Sequence, residues 1–367
     1  METKKVERTT GGLDGVVVAD TRLSEVDGER GRLIIAGHDV EALIGKVSFE
    51  DVVALLDRGR LPDAAGREAT RAALAEGRAL AFERLPGLGD ALARPDGMDA
   101  LRAALAHLPA GEGFGASARL AGATAVYAAA WARTRAGLAP IAPDPSLGHA
   151  ADYLRMIRGE PSGEARAAAL DAYLATVSDH GMNASTFAAR VVTSTGSDPV
   201  SSVVAAIGAL KGPLHGGAPG PVLDMLDAIG TPENAEPWIE GELLAGRRIM
   251  GMGHRIYRVR DPRAAVLEQA TLRLEQAGVR TGRLDLARAV ERAAEGILRR
   301  KHPDRPLRAN VEFYTAVLLD ALGLDRASFT PTFAVGRVAG WCAHIDEQRE
   351  LGRLIRPASR YVGPMPS

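Results

Sequence analysis

The sequence predicts a mainly α protein with a small β element near its N-terminal end. Three observations carry that expectation. Apolar residues recur at helical spacing over most of the chain, cap-type residues and prolines punctuate those runs, and only one short stretch has hairpin chemistry. In chain order, Val16-Val17-Val18-Ala19 and Gly31-Arg32-Leu33-Ile34-Ile35 are expected strands on either side of the turn Val26-Asp27-Gly28. Helices are expected over Phe49 to Leu56, Ala165 to Val177, Val222 to Ile229, Ala264 to Ala277 and Leu284 to Leu298. Pro140, Pro143 and Pro145 mark a loop between helices, and Asp261-Pro262 and Thr330-Pro331 mark helix starts.

The chain has 367 residues, enough for two domains or one large one with a substantial core. Its formal net charge of −1 points away from nucleic acid and membrane surfaces. Cys342 is the only cysteine, so neither an intrachain disulfide nor a thiolate metal cluster can form, which suits a reducing compartment. Met1-Glu2-Thr3-Lys4-Lys5 is charged and no apolar signal region or membrane-length run follows. The expectation is a soluble, cytoplasmic protein.

Three histidines stand in Gly- or Asn-rich settings. They are His180 in Ser178-Asp179-His180-Gly181-Met182-Asn183, His215 in Lys211-Gly212-Pro213-Leu214-His215-Gly216-Gly217, and His254 in Gly251-Met252-Gly253-His254-Arg255. His180 continues the apolar face of the run ending at Val177, with Asn183 one turn on. It reads as a hydrogen-bonded core histidine or as a donor to a bound anion. His215 lies near an expected helix start, where backbone N–H groups and the dipole would keep it neutral; a plain turn between helices is the bland reading. The glycines around His254 leave backbone open to a ligand, but the segment lacks the third glycine and preceding strand of a dinucleotide fingerprint.

Four further sites carry charge in telling places. Arg263 falls in the first turn of a helix capped by Asp261, where a cation opposes the macrodipole unless an anion sits at the same spot. Arg337 shares a face with Trp341, His344 and Gln348, so it is expected to be partly buried and to need an anionic partner. Glu312, in Asn310-Val311-Glu312-Phe313-Tyr314, is favoured by the helix dipole alone, yet its apolar neighbours would raise its pKa toward that of a general base. The basic stretch from Arg353 through Arg356 to Arg360 fits an anion site or a subunit contact. No His-Glu-x-x-His and no cysteine partner supports a metal site, and no Gly-x-Ser-x-Gly elbow supports serine hydrolysis.

Taken in this order, these motifs strongly resemble the citrate synthase family. The similarity runs from Gly12-Leu13-Asp14-Gly15 through Ala36-Gly37-His38-Asp39 to Tyr361-Val362-Gly363. The resemblance implies a homodimer with a two-domain helical fold: a large domain from 1–218, a small domain over 219–320, and a return to the large domain over 321–367 that completes the site. It implies an acyltransferase that condenses acetyl-CoA with oxaloacetate and hydrolyses the thioester to citrate and CoA, with CoA only as co-substrate and no permanent cofactor or metal. His215, His254 and Glu312 then match catalytic positions. His180, Asn183, Arg263 and Arg337 match substrate ligands, and Arg356 matches an arginine reaching into the neighbouring subunit. Arg258 and Arg360 are available to CoA phosphates. The family pattern usually has Asp where Glu312 stands, and Glu reaches about one C–C bond further. A 2-methylcitrate synthase using propionyl-CoA and a non-catalytic oxaloacetate- or citrate-binding paralogue are the alternatives.

Overall fold

The computed structural model describes residues 12–13, 15–109, 117–215, 219–279, 282–303 and 307–366. Asp14, Gly216 and Gly217 of the motifs above lie outside the described residues. Within them the molecule is mainly α. A three-stranded antiparallel sheet, β1 (Ser24–Asp27), β2 (Arg32–Ile35) and β3 (His38–Asp39), opens the fold in the order β1-β2-β3. Fifteen helices follow: α1 (Val40–Leu43), α2 (Phe49–Arg58), α3 (Ala64–Glu83), α4 (Gly97–Ala106), α5 (Ser117–Arg135), α6 (His149–Arg158), α7 (Glu164–Val177), α8 (Ala184–Thr193), α9 (Pro199–Leu210), α10 (Pro219–Ile229), α11 (Ala235–Leu244), α12 (Pro262–Gln276), α13 (Arg283–Lys301), α14 (Val311–Ala321) and α15 (Phe329–Leu351).

The helical runs expected from periodicity correspond to α2, α7, α10, α12 and α13. The β expectation needs correction. Strand β2 lies within the predicted stretch, but Val16 to Ala19 is not a strand, and Val17 is 83% exposed. The pairing runs directly across the turn, from Ser24↔Ile35 to Asp27↔Arg32, and consumes the residues adjoining it. Val16 and Val18 instead line the main cleft.

Asp, Asn and Ser caps fix most of the helix starts. Ser48 and Asp51 form a reciprocal capping box on α2, and Asp198, Asp261 and Asn310 cap α9, α12 and α14. Helices α5 and α15 are buried over most of their lengths rather than along one stripe, as expected for helices at the centre of a core. Helix α15 crosses the C-terminal end of α7 at close range. A Cβ on Gly340 would press into the Ser178 carbonyl and lie 2.8 Å from Asp179 Oδ1. The Gly340 N–H donates to that same Ser178 carbonyl at 3.1 Å.

The small sheet locates two loops. Ser24 on β1 donates to the Asp179 carboxylate and accepts the Gly181 N–H at 2.9 Å. At the hairpin turn the Gly28 carbonyl accepts the Arg258 N–H at 2.9 Å, and a side chain at Gly28 would collide with Ile256. One β element therefore holds the segments that carry His180 and His254. No helix of the described residues is long and apolar enough to cross a membrane.

Candidate active site

A cleft of about 750 Å3 gathers the side chains of His180, His215, His254, Arg263, Glu312 and Arg337. Asn183 also lines it, with Phe187 and Phe333 giving apolar wall. All but one of these groups arrive from a helix end or the loop beside it. His180 follows the end of α7, Asn183 caps α8, His215 follows α9, His254 lies on the loop before α12, Arg263 and Glu312 lie in the first turns of α12 and α14, and Arg337 alone lies inside a helix, α15.

His254 is held in one tautomer. Its Nδ1 accepts backbone N–H groups from Ile256 at 3.0 Å and Tyr257 at 3.1 Å, so the proton resides on Nε2. Burial, then the Arg263 charge, lowers its pKa to about 4. His215 is fixed from the other side. The Ser185 N–H, in the first turn of α8, donates to its Nε2 at 3.4 Å, and the Ser185 hydroxyl lies 2.8 Å away. Trp341 Nε1 donates to that hydroxyl at 3.1 Å, which frees the hydroxyl proton for Asn183 Oδ1 or His215 Nε2. His215 Nε2 also lies 3.2 Å from Asn183 Oδ1, which can only accept, so its neighbours are compatible with either tautomer. Its pKa also falls to about 4, through burial first and the Arg337 cation second. Neutrality of His215 was expected from a helix start following it in sequence; the helix N-terminus that touches it is instead that of α8.

His180 is not on a helix, because α7 ends at Val177 and Ser178 caps it. Its Nε2 lies 3.1 Å from the Tyr257 hydroxyl, and burial, Arg263 and Arg337 hold its pKa well below the usual histidine value. Tyr257 therefore touches both rings: its N–H fixes His254 and its hydroxyl meets His180. All three imidazoles are neutral at physiological pH.

The two arginines differ. Arg263 opposes the α12 dipole, and the anion expected beside it is the N-cap itself. Asp261 accepts Arg263 Nε at 3.0 Å and Nη2 at 2.7 Å. The same carboxylate accepts the Val311 N–H at 3.2 Å, tying the start of α14 to the start of α12. Burial works against the Arg263 charge, but Asp261 outweighs it and raises the pKa. Arg337 donates Nε to the Val177 carbonyl at 2.5 Å and stacks on Phe333 with 4.7 Å from Cζ to the ring centroid. Its Nη2 is buried without a hydrogen-bond partner, and burial lowers its pKa to about 10. No described carboxylate forms an ion pair with it, so Arg337 is available to an anionic ligand in the cleft.

Glu312 is the base candidate. Its N–H is capped by Asn310 Oδ1 at 3.1 Å, and its Oε2 is buried with no hydrogen-bond partner among the described residues. Burial pushes its pKa up to about 7, Asp261 adds to that, and Arg263 and Arg337 partly oppose it. Beneath the cleft, Asp179 faces His344 Nε2 at 3.3 Å, and Arg190 bridges His344 Nδ1 at 3.0 Å to Glu347 at 2.6 Å. Burial would raise the Asp179 pKa, but His344, Ser24 and Arg337 together hold it below the usual carboxylate range.

Arg258, Arg356 and Arg360 do not line the cleft; all three are exposed, the last two on the irregular C-terminal segment. That segment is tied down where it leaves α15, by Gln348 Nε2 to the Arg353 carbonyl at 2.9 Å and the Ile355 N–H to Ser194 Oγ at 3.0 Å. Sequence reasoning missed Tyr257 and Ser185 and saw Asp261 only as a cap. Their contacts join segments distant in sequence, and only their nearness to the His254 and Asn183 motifs hinted at them. Among the described residues, no three His, Cys, Asp or Glu side chains are grouped to hold a metal ion.

Such a cleft combines neutral imidazoles, one of them with its N–H placed by the backbone, a buried carboxyl and arginines suited to carboxylates. Residues 12–358 match the family described as citrate synthase, C-terminal domain. The chain is 40% identical over 370 residues to putative citrate synthase 2 of Mycobacterium tuberculosis, covering 97% of this chain and 93% of that one. It is 37% identical over 368 residues to citrate synthase of Haloferax volcanii, covering 96% and 95%. A 2-methylcitrate synthase of Mycobacterium tuberculosis is 40% identical over 371 residues, covering 96% and 90%. Among solved structures, citrate synthase of Thermotoga maritima superposes with a TM-score of 0.84 at 34% identity, covering 97% and 96%. The Thermoplasma acidophilum enzyme, solved with carboxymethyl coenzyme A and oxaloacetate, gives 0.84 at 27% identity with the same coverage. With its family signature, fold and relatives in agreement along nearly the whole chain, this protein belongs to the citrate synthase family of acyltransferases.

Proposed function

We propose that this protein condenses acetyl-CoA with oxaloacetate and hydrolyses the resulting thioester to citrate and CoA, with Glu312 as the base. The observation that carries the reading is a buried carboxyl oxygen without a hydrogen-bond partner among the described residues and with a pKa near 7, in one cleft with two neutral histidines. Arg263, Arg337 and His180, with Asn183 beside them, hold the dicarboxylate. Glu312 takes a proton from the thioester methyl while the His215 N–H donates to the thioester carbonyl, where negative charge develops. His254 Nε2–H polarises the ketone of the second substrate. The methyl carbon then attacks the ketone carbon, a C–C bond forms, and the ketone oxygen becomes a hydroxyl by gaining a proton. Water subsequently cleaves the thioester and releases CoA as a free thiol.

Neutral histidines suit this sequence because each must donate into a developing oxyanion without bringing a full charge that would hold the ground state equally well. Residues 219–320 act as the small domain in this reading, carrying Arg263, His254 and Glu312 toward His180, His215 and Arg337. Closure excludes water and sets the attack distance. The protein works as a homodimer, with Arg356 delivered to the partner's site by the exposed C-terminal segment and Arg258 and Arg360 available to CoA phosphates. Exposure of Leu354, Val362 and Met365 on that segment supports an intersubunit role.

The test is release of free thiol from acetyl-CoA and from propionyl-CoA, each with oxaloacetate. A higher kcat/KM for acetyl-CoA is expected. The two donors differ by one methylene, worth roughly 1–3 kcal/mol in a fitted pocket. Preference for propionyl-CoA would turn the assignment to 2-methylcitrate synthesis. No thiol from either donor, with oxaloacetate still bound, would leave a non-catalytic binding protein.

A further inference from the structure

A second cavity, of about 710 Å3, lies away from the catalytic cleft between α12 and the group formed by α2, α3, α6 and α7. Helices α7 and α12 pack against each other. One end of each reaches the cleft, α7 leading to His180 and α12 beginning at Arg263. Their other ends line the second cavity, through Ala168 of α7 and Arg273 and Ala277 at the end of α12. From Arg263 to Arg273 is ten residues of helix, about 15 Å. The two cavities thus occupy opposite ends of one antiparallel helix pair.

The charges around this cavity are unequally committed. Its carboxylates serve helix starts: Asp171 accepts the Phe49 N–H at 3.0 and 3.1 Å, and Glu50 accepts the His149 N–H at 2.8 Å. Arg67 is paired with Asp51 at 2.6 Å, and Arg71 donates to the Ser146 carbonyl. The exposed residues Lys46 and Arg273 also line the cavity, and neither side chain has a hydrogen-bond or ion-pair partner among the described residues. The Arg273 guanidinium lies over the backbone of Gly45, where a Cβ would come within 2.5 Å of Nη1. Gly45 has φ +82°, a backbone conformation that favours glycine. The fully buried His149 ring contributes a further unmet group. Its Nδ1 lies 3.2 Å from Arg78 Nη1, which can only donate, so Nε2 carries hydrogen and has no acceptor. Alanines dominate the rest of the wall, including Ala168, Ala172 and Ala270, together with Val47, Ser48 and Leu274.

Two uncommitted cations beside a smooth apolar wall, in a volume of small-ligand size, fit an amphipathic anion. We propose that this cavity binds a small organic carboxylate with an apolar body, its head on Lys46 and Arg273 and its body on the alanine wall, and that occupancy acts on the catalytic cleft through α7 and α12. The coupling is physical: a ligand wedged between two helix ends changes their separation, and the opposite ends carry His180 and Arg263.

The protein itself provides a clean test. Cys342 is its only cysteine and is buried, and burial pushes its thiol pKa up, so a cysteine introduced by Ala277→Cys is the reactive one. Alkylation with 4-(bromomethyl)benzoate forms a C–S bond as bromide leaves and the thiol proton passes to buffer; mass spectrometry reads it without turnover. Free 4-methylbenzoate at millimolar concentration is expected to slow labelling at least about threefold, and Lys46→Ala with Arg273→Ala to abolish that protection. The carboxylate-bearing label is expected to change kcat by about fivefold or more, and the neutral 4-methylbenzyl label by less than about twofold. Absence of protection, or protection that survives loss of both cations, overturns the site. Equal effects of the charged and neutral labels on kcat overturn the coupling. Because protection needs no catalysis, these outcomes are separable from failure of the proposed reaction.

Discussion

Glu312→Gln separates the two consequences of burying this carboxyl. Moving its pKa from 4.5 to about 7 corresponds to about 3 kcal/mol against the charged form. Between those pH values the folded protein keeps a proton that the unfolded chain has lost, so stability falls as pH rises through the window and levels off above it. Gln has nearly the same shape and never ionises. The variant should therefore exceed the parent in stability at pH 8 by up to about 3 kcal/mol, less whatever water in the open cleft screens, and by under about 1 kcal/mol at pH 5. Urea unfolding at both pH values and one fixed protein concentration measures this difference. Thiol release from acetyl-CoA measures the chemistry, where loss of a general base is expected to cost about 10²- to 10⁴-fold in kcat while oxaloacetate still binds. A pH-independent stability change would refute the burial argument. A kcat within tenfold of the parent would remove Glu312 from the reaction.

The pH profile of the parent belongs to the same reasoning. With His215 and His254 near 4, their loss of charge is complete well below neutrality, and the ascending limb of kcat/KM should follow Glu312 near 7. A limb near 6.5 that vanishes in His215→Gln would instead make that histidine the titrating group.

Three other substitutions probe the supports. Asp261→Asn breaks the buried pair with Arg263 and weakens the link to Val311, and should cost about 3 kcal/mol in urea unfolding; a change under 1 kcal/mol would show that Arg263 finds another partner. Gly340→Ala places a methyl against Ser178 and Asp179, so α15 must move away from α7. An overpacking loss of about 1–3 kcal/mol in urea unfolding, with a raised KM for oxaloacetate, is the expected result. Arg337→Ala removes a buried cation that has no carboxylate partner among the described residues; oxaloacetate KM should rise by about 10²-fold or more while the fold persists, and an unchanged KM would place the dicarboxylate elsewhere.

How legible these features were depended on the range of the forces behind them. Helix periodicity, caps and the Asp261-Pro262 start are local, and the sequence displays them directly. The histidine motifs were visible because glycines and a cap residue surround them. Strand pairing was harder to read, because Val16 to Ala19 has β composition but pairs with no strand among the described residues; Ser24 to Asp27 takes the pairing by lying next to the turn. The surroundings of the imidazoles were the least legible. His215 meets Ser185, 30 residues before it, which Trp341 holds from 126 residues after, and the proton of His254 is placed by the backbone of a loop that the hairpin holds through Gly28. Glu312 shows why such distant contacts decide function. Its place at a helix start favours a charged carboxylate, and by that rule alone its pKa would fall. Its burial beside Asp261 overrides the dipole despite the opposing charges of Arg263 and Arg337, so a side chain that local rules make a stabilised anion is turned by the tertiary structure into a base poised near neutrality.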